Sequence, residues 1–127
     1  MRLSKHPAAD WRHKVFVGYV TLMVLVFLLP VPTTPVAESR YVDKLVHFGI
    51  FLGFALLCHI DRQGKAWWTF LISVVFAGGI ELVQSTLPYR DGDWLDLLAG
   101  AAGSALGVVL GLLIEHRDPQ VRRSLDG

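Results

Sequence analysis

With 127 residues, 53% of them hydrophobic, and a mean hydropathy of +0.46, the chain has room for one domain and is too apolar for a soluble one. A formal net charge of +1, with basic residues neither in excess nor gathered on one face, excludes the electrostatic footprint of a nucleic-acid binder. The lone Cys58 excludes an intramolecular disulfide, and its place inside an apolar run makes it packing rather than a nucleophile.

The apolar residues fall in four blocks, Val15 to Val31, Leu45 to Ile60, Ala66 to Leu87 and Trp94 to Ile114. Each is close to the ~20 residues that cross a hydrocarbon core as a helix. The sequence therefore predicts an all-α integral membrane bundle of four transmembrane helices. Residues 1–14 form an N-terminal segment, 15–115 the membrane domain and 116–127 a polar tail.

The first block follows a basic stretch, as the apolar part of a secretory signal does. It runs into Pro30-Val31-Pro32-Thr33-Thr34-Pro35 rather than a small-x-small cleavage site, so it reads as an uncleaved span. The prolines end it, because Pro lacks an N–H and fixes φ, and they stiffen the connection to Tyr41. The second block is the shortest: Asp43, Lys44 and His47 crowd its first turn, and His59 and Asp61 close it. A re-entrant segment is the alternative there, but an even number of crossings suits the charge distribution better. Trp67 and Trp68 open the third block, and Tyr89 and Trp94 mark the boundary between third and fourth, where amphipathic rings favour the headgroup level. In the fourth, Gly103, Gly107 and Gly111 recur at i, i+4 and i+8 and form a groove that admits another helix closely. Packing within the chain is the simpler use of this groove, and a homodimer the alternative.

Orientation follows from Lys and Arg. Nine of them, Arg2, Lys5, Arg12, Lys14, Arg62, Lys65, Arg117, Arg122 and Arg123, lie before the first block, between the second and third, or after the fourth. The opposite side carries only Arg40, Lys44 and Arg90, each with an acidic neighbour. The positive-inside rule then puts both termini in the cytoplasm. His6, His13, His59 and His116 fall at or beyond the inner ends and read as interfacial.

Ionisable groups within a span cost several kcal/mol unless they pair or face water, so each marks a candidate site. Here Asp43, Lys44, His47, Glu81, Gln84, Arg90, Asp91, Asp93 and Asp96 all belong to the outer leaflet. Asp43 and His47 share a helix face, as do Glu81 and Gln84. Glu81 lies six residues before Leu87, which at a rise of ~1.5 Å per residue sets its Cα about 9 Å below the helix end, too deep for a short carboxylate to snorkel.

The stretch Asp43-Lys44-Leu45-Val46-His47-Phe48, then Glu81-Leu82-Val83-Gln84 with Pro88 and Arg90, then Asp96 followed by Gly103 and Gly107, resembles the signature of VanZ-like membrane proteins. The resemblance covers about residues 15 to 115. It implies a multi-pass protein of the bacterial cytoplasmic membrane, linked to the cell envelope and to glycopeptide (teicoplanin) resistance, and it lends no catalytic mechanism. The family pattern usually has Asn four residues after the Asp, a position held here by Gly100.

Three readings of the outer cluster stand side by side. In one, Asp43, Lys44, His47, Glu81, Gln84, Arg90, Asp93 and Asp96 bind the head group of a membrane lipid or lipid-linked envelope precursor, with Arg90 facing a phosphate or carboxylate. In another they form a structural network, for example Arg90 with Asp96 or Lys44 with Glu81. In the third, His47 and Glu81 act as base and acid in a lipid-modifying transfer. A metal on His47, Glu81 and Asp96 has no motif behind it, so the sequence assigns neither metal nor cofactor. A proton-coupled transporter would need a dimer, four spans being few.

Reporter fusions at residues 35, 63, 90 and 127 check the orientation: those at 63 and 127 should report cytoplasm and those at 35 and 90 the opposite side. An outward reporter at 127 refutes it.

Overall fold

The computed structural model describes residues 7–30, 40–62, 65–90 and 92–120. Among them there are four helices and no strand: α1 (Pro7–Leu28), α2 (Arg40–Arg62), α3 (Ala66–Thr86) and α4 (Trp94–Arg117). All four are long and apolar enough to cross a membrane. At ~1.5 Å per residue they measure about 31 to 36 Å.

The helices depart from the apolar blocks at their ends. α1 starts at Pro7, a residue tolerated in a first turn because its missing N–H would be unsatisfied there anyway. It stops at Leu28, where Leu29 N still reaches Leu25 O at 2.9 Å and Pro30 cannot continue the ladder. The Pro32 to Pro35 run lies outside the described residues. α2 is no re-entrant stub: it is 23 residues long and begins at Arg40, so Asp43, Lys44 and His47 are helical. The polar residues that made its apolar core look short are turned to neighbouring helices. α4 continues past Ile114 to Arg117.

Burial is inverted relative to a soluble bundle. Leu22, Val75, Leu82 and Leu98 are exposed, whereas Thr69, Ser73, Glu81, Gln84, Asp96 and Ser104 are buried. An apolar surround offers no gain from burying Leu, so small and polar residues take the interior and must be hydrogen-bonded there. Ser73 Oγ donates to Thr69 O and Ser104 Oγ to Gly100 O, each at 2.8 Å. A compact aromatic core of Phe27, Phe51 and Phe54, with Met23, Ala77 and Ile80, ties α1, α2 and α3 together. Trp67 and Trp68, stacked at one end of the bundle, and Tyr89 and Trp94 at the other, are exposed, as anchoring residues must be.

The tightest contact joins α2 and α4. A Cβ on Gly103 would collide with the carbonyl of Phe48, one on Gly107 with the carbonyl of Leu52, and one on Gly111 would come within 2.9 Å of the His59 ring. The glycine groove thus receives α2 of the same chain. Gly100 faces Phe51, whose Cδ2 would lie 3.1 Å from an added Cβ. That ring takes the room an Asn would need. Gly53 opens a path for Tyr19, whose hydroxyl donates to Ile50 O at 2.6 Å and pins α1 to α2.

Gly103→Ala and Gly107→Ala should each lower stability by about 1–3 kcal/mol, since the obstacle is backbone and the helices must part. Gly79→Ala, with nothing within 4 Å of the new methyl, should be neutral or stabilising by up to about 1 kcal/mol. Unfolding in a detergent titrated with denaturing surfactant reads the difference.

Candidate functional site

At one end of the bundle the first turns of α2 and α4 stand beside the last turns of α3. Asp43 sits in the first turn of α2 and Asp96 in that of α4, where the unpaired N–H groups favour negative charge. Asp93 is the N-cap of α4, its Oδ1 accepting from Leu95 N at 2.9 Å. Lys44 bridges the two helix starts: Nζ donates to Asp93 Oδ2 at 2.8 Å and to Asp96 Oδ1 at 3.2 Å. Asp96 is 2% exposed, so this ammonium compensates a carboxylate that water scarcely reaches.

Glu81, from the interior of α3, lies between the other two helices. Its Oε2 accepts from the backbone N of Asp93 at 3.0 Å, which ties α3 to the start of α4. Its Oε1 stands 3.0 Å from His47 Nε2. That distance suits a hydrogen bond but the angles do not, and both atoms are buried with no hydrogen-bond partner. On the far side of the ring, His47 Nδ1 lies 2.9 Å from Asp43 O and 3.6 Å from Asp43 Oδ1. A carbonyl can only accept, so Nδ1 carries a hydrogen. Phe27 of α1 covers the imidazole, with ring centroids 4.5 Å apart. Asp43, His47 and Asp96 each offer a ligand atom within 4.8 Å of the others, a spacing from which a metal ion can be held.

Six of the expected site residues, Asp43, Lys44, His47, Glu81, Asp93 and Asp96, therefore form one cluster on three helices. The pairing differs from either expected pair: Lys44 meets Asp93 and Asp96 rather than Glu81, and Arg90 meets no carboxylate among the bonds described. Gln84 and Arg90 turn instead to α1. Gln84 Nε2 donates to Phe27 O at 2.9 Å, Tyr89 Oη to Leu28 O at 2.7 Å, and Arg90 Nη2 to Val26 O and Leu29 O, both at 3.1 Å. A helix end leaves its last carbonyls without intrahelical donors. Three side chains from the end of α3 and the turn after it supply them. These bonds commit Arg90 Nη2 to α1, while its Nε is buried without a hydrogen-bond partner. Asp91 lies outside the described residues.

A second polar grouping, at the opposite end, escaped the sequence reading of its histidines as interfacial. His59 is buried, with Nε2 3.1 Å from Glu115 Oε2, and His13 Nδ1 lies 3.3 Å from Asp61 Oδ2. The available signal was register: Glu115 follows Gly111 by one more step of four along the glycine face, so the groove that admits α2 leads to a carboxylate.

Four apolar helices enclosing buried charges define a multi-pass membrane protein with a polar cluster at one end of its bundle. Residues 10–115 match the VanZ/LLP1 family model, and the chain belongs to that family. It is 32% identical over 112 residues to an uncharacterized protein of Schizosaccharomyces pombe, covering 84% of this chain and 67% of that one. No solved structure matches.

Gln84→Leu leaves the buried Phe27 carbonyl without its donor and should cost about 1–3 kcal/mol in detergent unfolding. Tyr89→Phe, at an exposed position where water can replace the hydroxyl, should cost less.

Proposed function

We propose that this VanZ/LLP1-family protein binds the polar head group of a membrane lipid or lipid-linked envelope precursor at the cluster of Asp43, His47, Glu81 and Asp96. In this reading the cluster lies in the outer leaflet of a bacterial cytoplasmic membrane and both termini lie in the cytoplasm. One observation carries it: His47 Nε2 and Glu81 Oε1 are buried, close and unbonded. Lys44, by contrast, closes its bonds with Asp93 and Asp96, and the other open buried atoms, Arg90 Nε and His59 Nδ1, do not face each other as this pair does. Open polar atoms in low dielectric are costly, and a guest that pairs with them recovers that cost on binding.

The surroundings indicate what the guest brings. Among the described residues the cluster holds four carboxylates, those of Asp43, Glu81, Asp93 and Asp96, against the ammonium of Lys44. Arg90, the group best shaped for a phosphate, gives its Nη2 to α1 and keeps only a buried Nε open. An ammonium or a set of sugar hydroxyls suits such acceptors better than an anion does. The family's association with glycopeptide resistance is in keeping with an envelope precursor as guest. The Lys44 bridge supports the structural reading for that part of the cluster, and the two roles divide along this line.

Protein purified in mild detergent should retain native lipid detectable by native mass spectrometry and melt higher when native lipid extract is added. Glu81→Gln should lose both effects. A wild-type protein that retains no lipid and melts identically with and without extract sinks the reading.

A further inference from the structure

We propose that the apolar groove between α1 and α3 seats the tail of the lipid whose head group the polar cluster engages, and that this tail is a single polyprenyl chain rather than the paired acyl chains of a glycerolipid. The inference rests on the head-group reading for the polar end of the lipid and adds the class of tail.

The groove offers about 650 Å³, within the ~300–1,000 Å³ of ligand sites. Its floor is firm: Ile80 belongs to the aromatic core, and Val24, Ile72 and Phe76 pack against it. Its walls are side chains open to the surround, among them Leu71, Val75 and Val83. Gly79 makes a notch between them, since nothing lies within 4 Å of the place a Cβ would take. Bonds from Gln84, Tyr89 and Arg90 hold the end of α1, and the groove opens below them.

What fills this space has to be slim. Helices that meet in an apolar surround do so over small residues, as α4 meets α2 at Gly103 and Gly107. Here a single glycine stands among bulky aliphatic and aromatic side chains, which hold a second helix off. Ten residues line the groove, against the about 20–30 a side of a stable protein interface. A hydrocarbon chain gains there because a preformed wall gives it dispersion contacts that fluid neighbours do not.

Length sets the kind of chain. From Trp68 to Val83 the lining covers fifteen residue steps of α3, at ~1.5 Å each about 22 Å. One leaflet is half of a hydrocarbon core of about 30 Å, or about 15 Å. The acyl chains of a glycerolipid stop near the midplane and come in pairs. A chain that follows the whole groove is longer than one leaflet and has no twin to place, and polyprenyl chains meet both conditions. The end of the groove at Leu28 and Val83 lies level with the cluster: Leu28 follows Phe27, whose ring covers His47, and Ile80 precedes Glu81. Groove and cluster are two sides of one contact between α1 and α3, and a lipid bound at both passes over the end of α1, which stops at Leu28.

The full-length chain, delipidated in detergent, is titrated with undecaprenol, farnesol or dioleoylglycerol, which share a hydroxyl head and differ in the tail, and followed by native mass spectrometry and melting. Undecaprenol should bind about tenfold more tightly than the other two, and it alone should raise the melting temperature. Gly79→Leu, which fills the notch from open space, should weaken undecaprenol about tenfold while melting as the lipid-free wild type does; Gly49→Leu, on α2 and equally unobstructed, should change nothing. Should Gly79→Leu not fold, a photoreactive undecaprenol answers in the wild type, where its cross-links should fall on groove residues such as Leu71 and Val75. Equal binding of dioleoylglycerol, undecaprenol binding unchanged in Gly79→Leu, cross-links confined to α2 and α4, or a dimer that Gly79→Leu dissolves overturns the inference. Loss of undecaprenol in Glu81→Gln with none in Gly79→Leu overturns it too, while leaving the head-group reading intact. Loss in Gly79→Leu with none in Glu81→Gln supports the groove and counts against that reading.

Discussion

Backbone-to-backbone contact between α2 and α4 sets the arrangement of everything polar in this bundle. In an apolar surround two helices gain little from hiding leucines, and what holds them is close van der Waals approach. Gly103 and Gly107 let α4 rest against the carbonyls of Phe48 and Leu52, and Gly111 receives the His59 ring. This seam fixes both the distance and the register of two helices that run in the same direction. With the register fixed, Lys44 near the start of α2 meets Asp93 and Asp96 at the start of α4, and His59 near the end of α2 meets Glu115 near the end of α4. The two charged regions are opposite ends of one packed interface.

Glu81 shows how the low dielectric makes each charge serve more than one helix. One oxygen holds the backbone at Asp93 and the other faces His47, so a single side chain of α3 reaches both members of the glycine seam. Phe27 has a comparable double position. Its ring covers His47 while its carbonyl takes the Gln84 amide, which links the closure of α1 to the cluster beneath it. Displacing Phe27 would expose the imidazole and open the end of α1 together.

Hydropathy and proline placement revealed four helical spans because they report on the solvent around a helix. They understated α2, since Asp43, Lys44, His47 and His59 interrupt an apolar run although all are helical and turned toward α3 or α4. Depth and helical face, both readable from spacing, suffice to gather Asp43, Lys44, His47, Glu81, Asp93 and Asp96 at one level. The choice of partners within that level was hidden, because it depends on which helix stands next to which. Gln84 shares a face with Glu81 yet serves α1, and Arg90 caps a helix some sixty residues earlier in the chain. Gly100 is a similar case: only the three-dimensional packing shows that Phe51 occupies the space above it.

The capping of α1 by later residues also bears on how the protein is made. α1 leaves the ribosome before α2 and α3, but the donors for Val26, Phe27, Leu28 and Leu29 lie 57 to 64 residues downstream, in Gln84, Tyr89 and Arg90. At a synthesis rate of ~5–20 residues per second, that gap amounts to a wait of several seconds. Through it, only water or the insertion machinery can serve those carbonyls, so the end of α1 has to stay at a wet boundary while α2 and α3 are threaded. The end of α1 is thus closed only once α3 and the turn after it have emerged, and an arrest of translation before residue 90 would leave α1 inserted but unfastened.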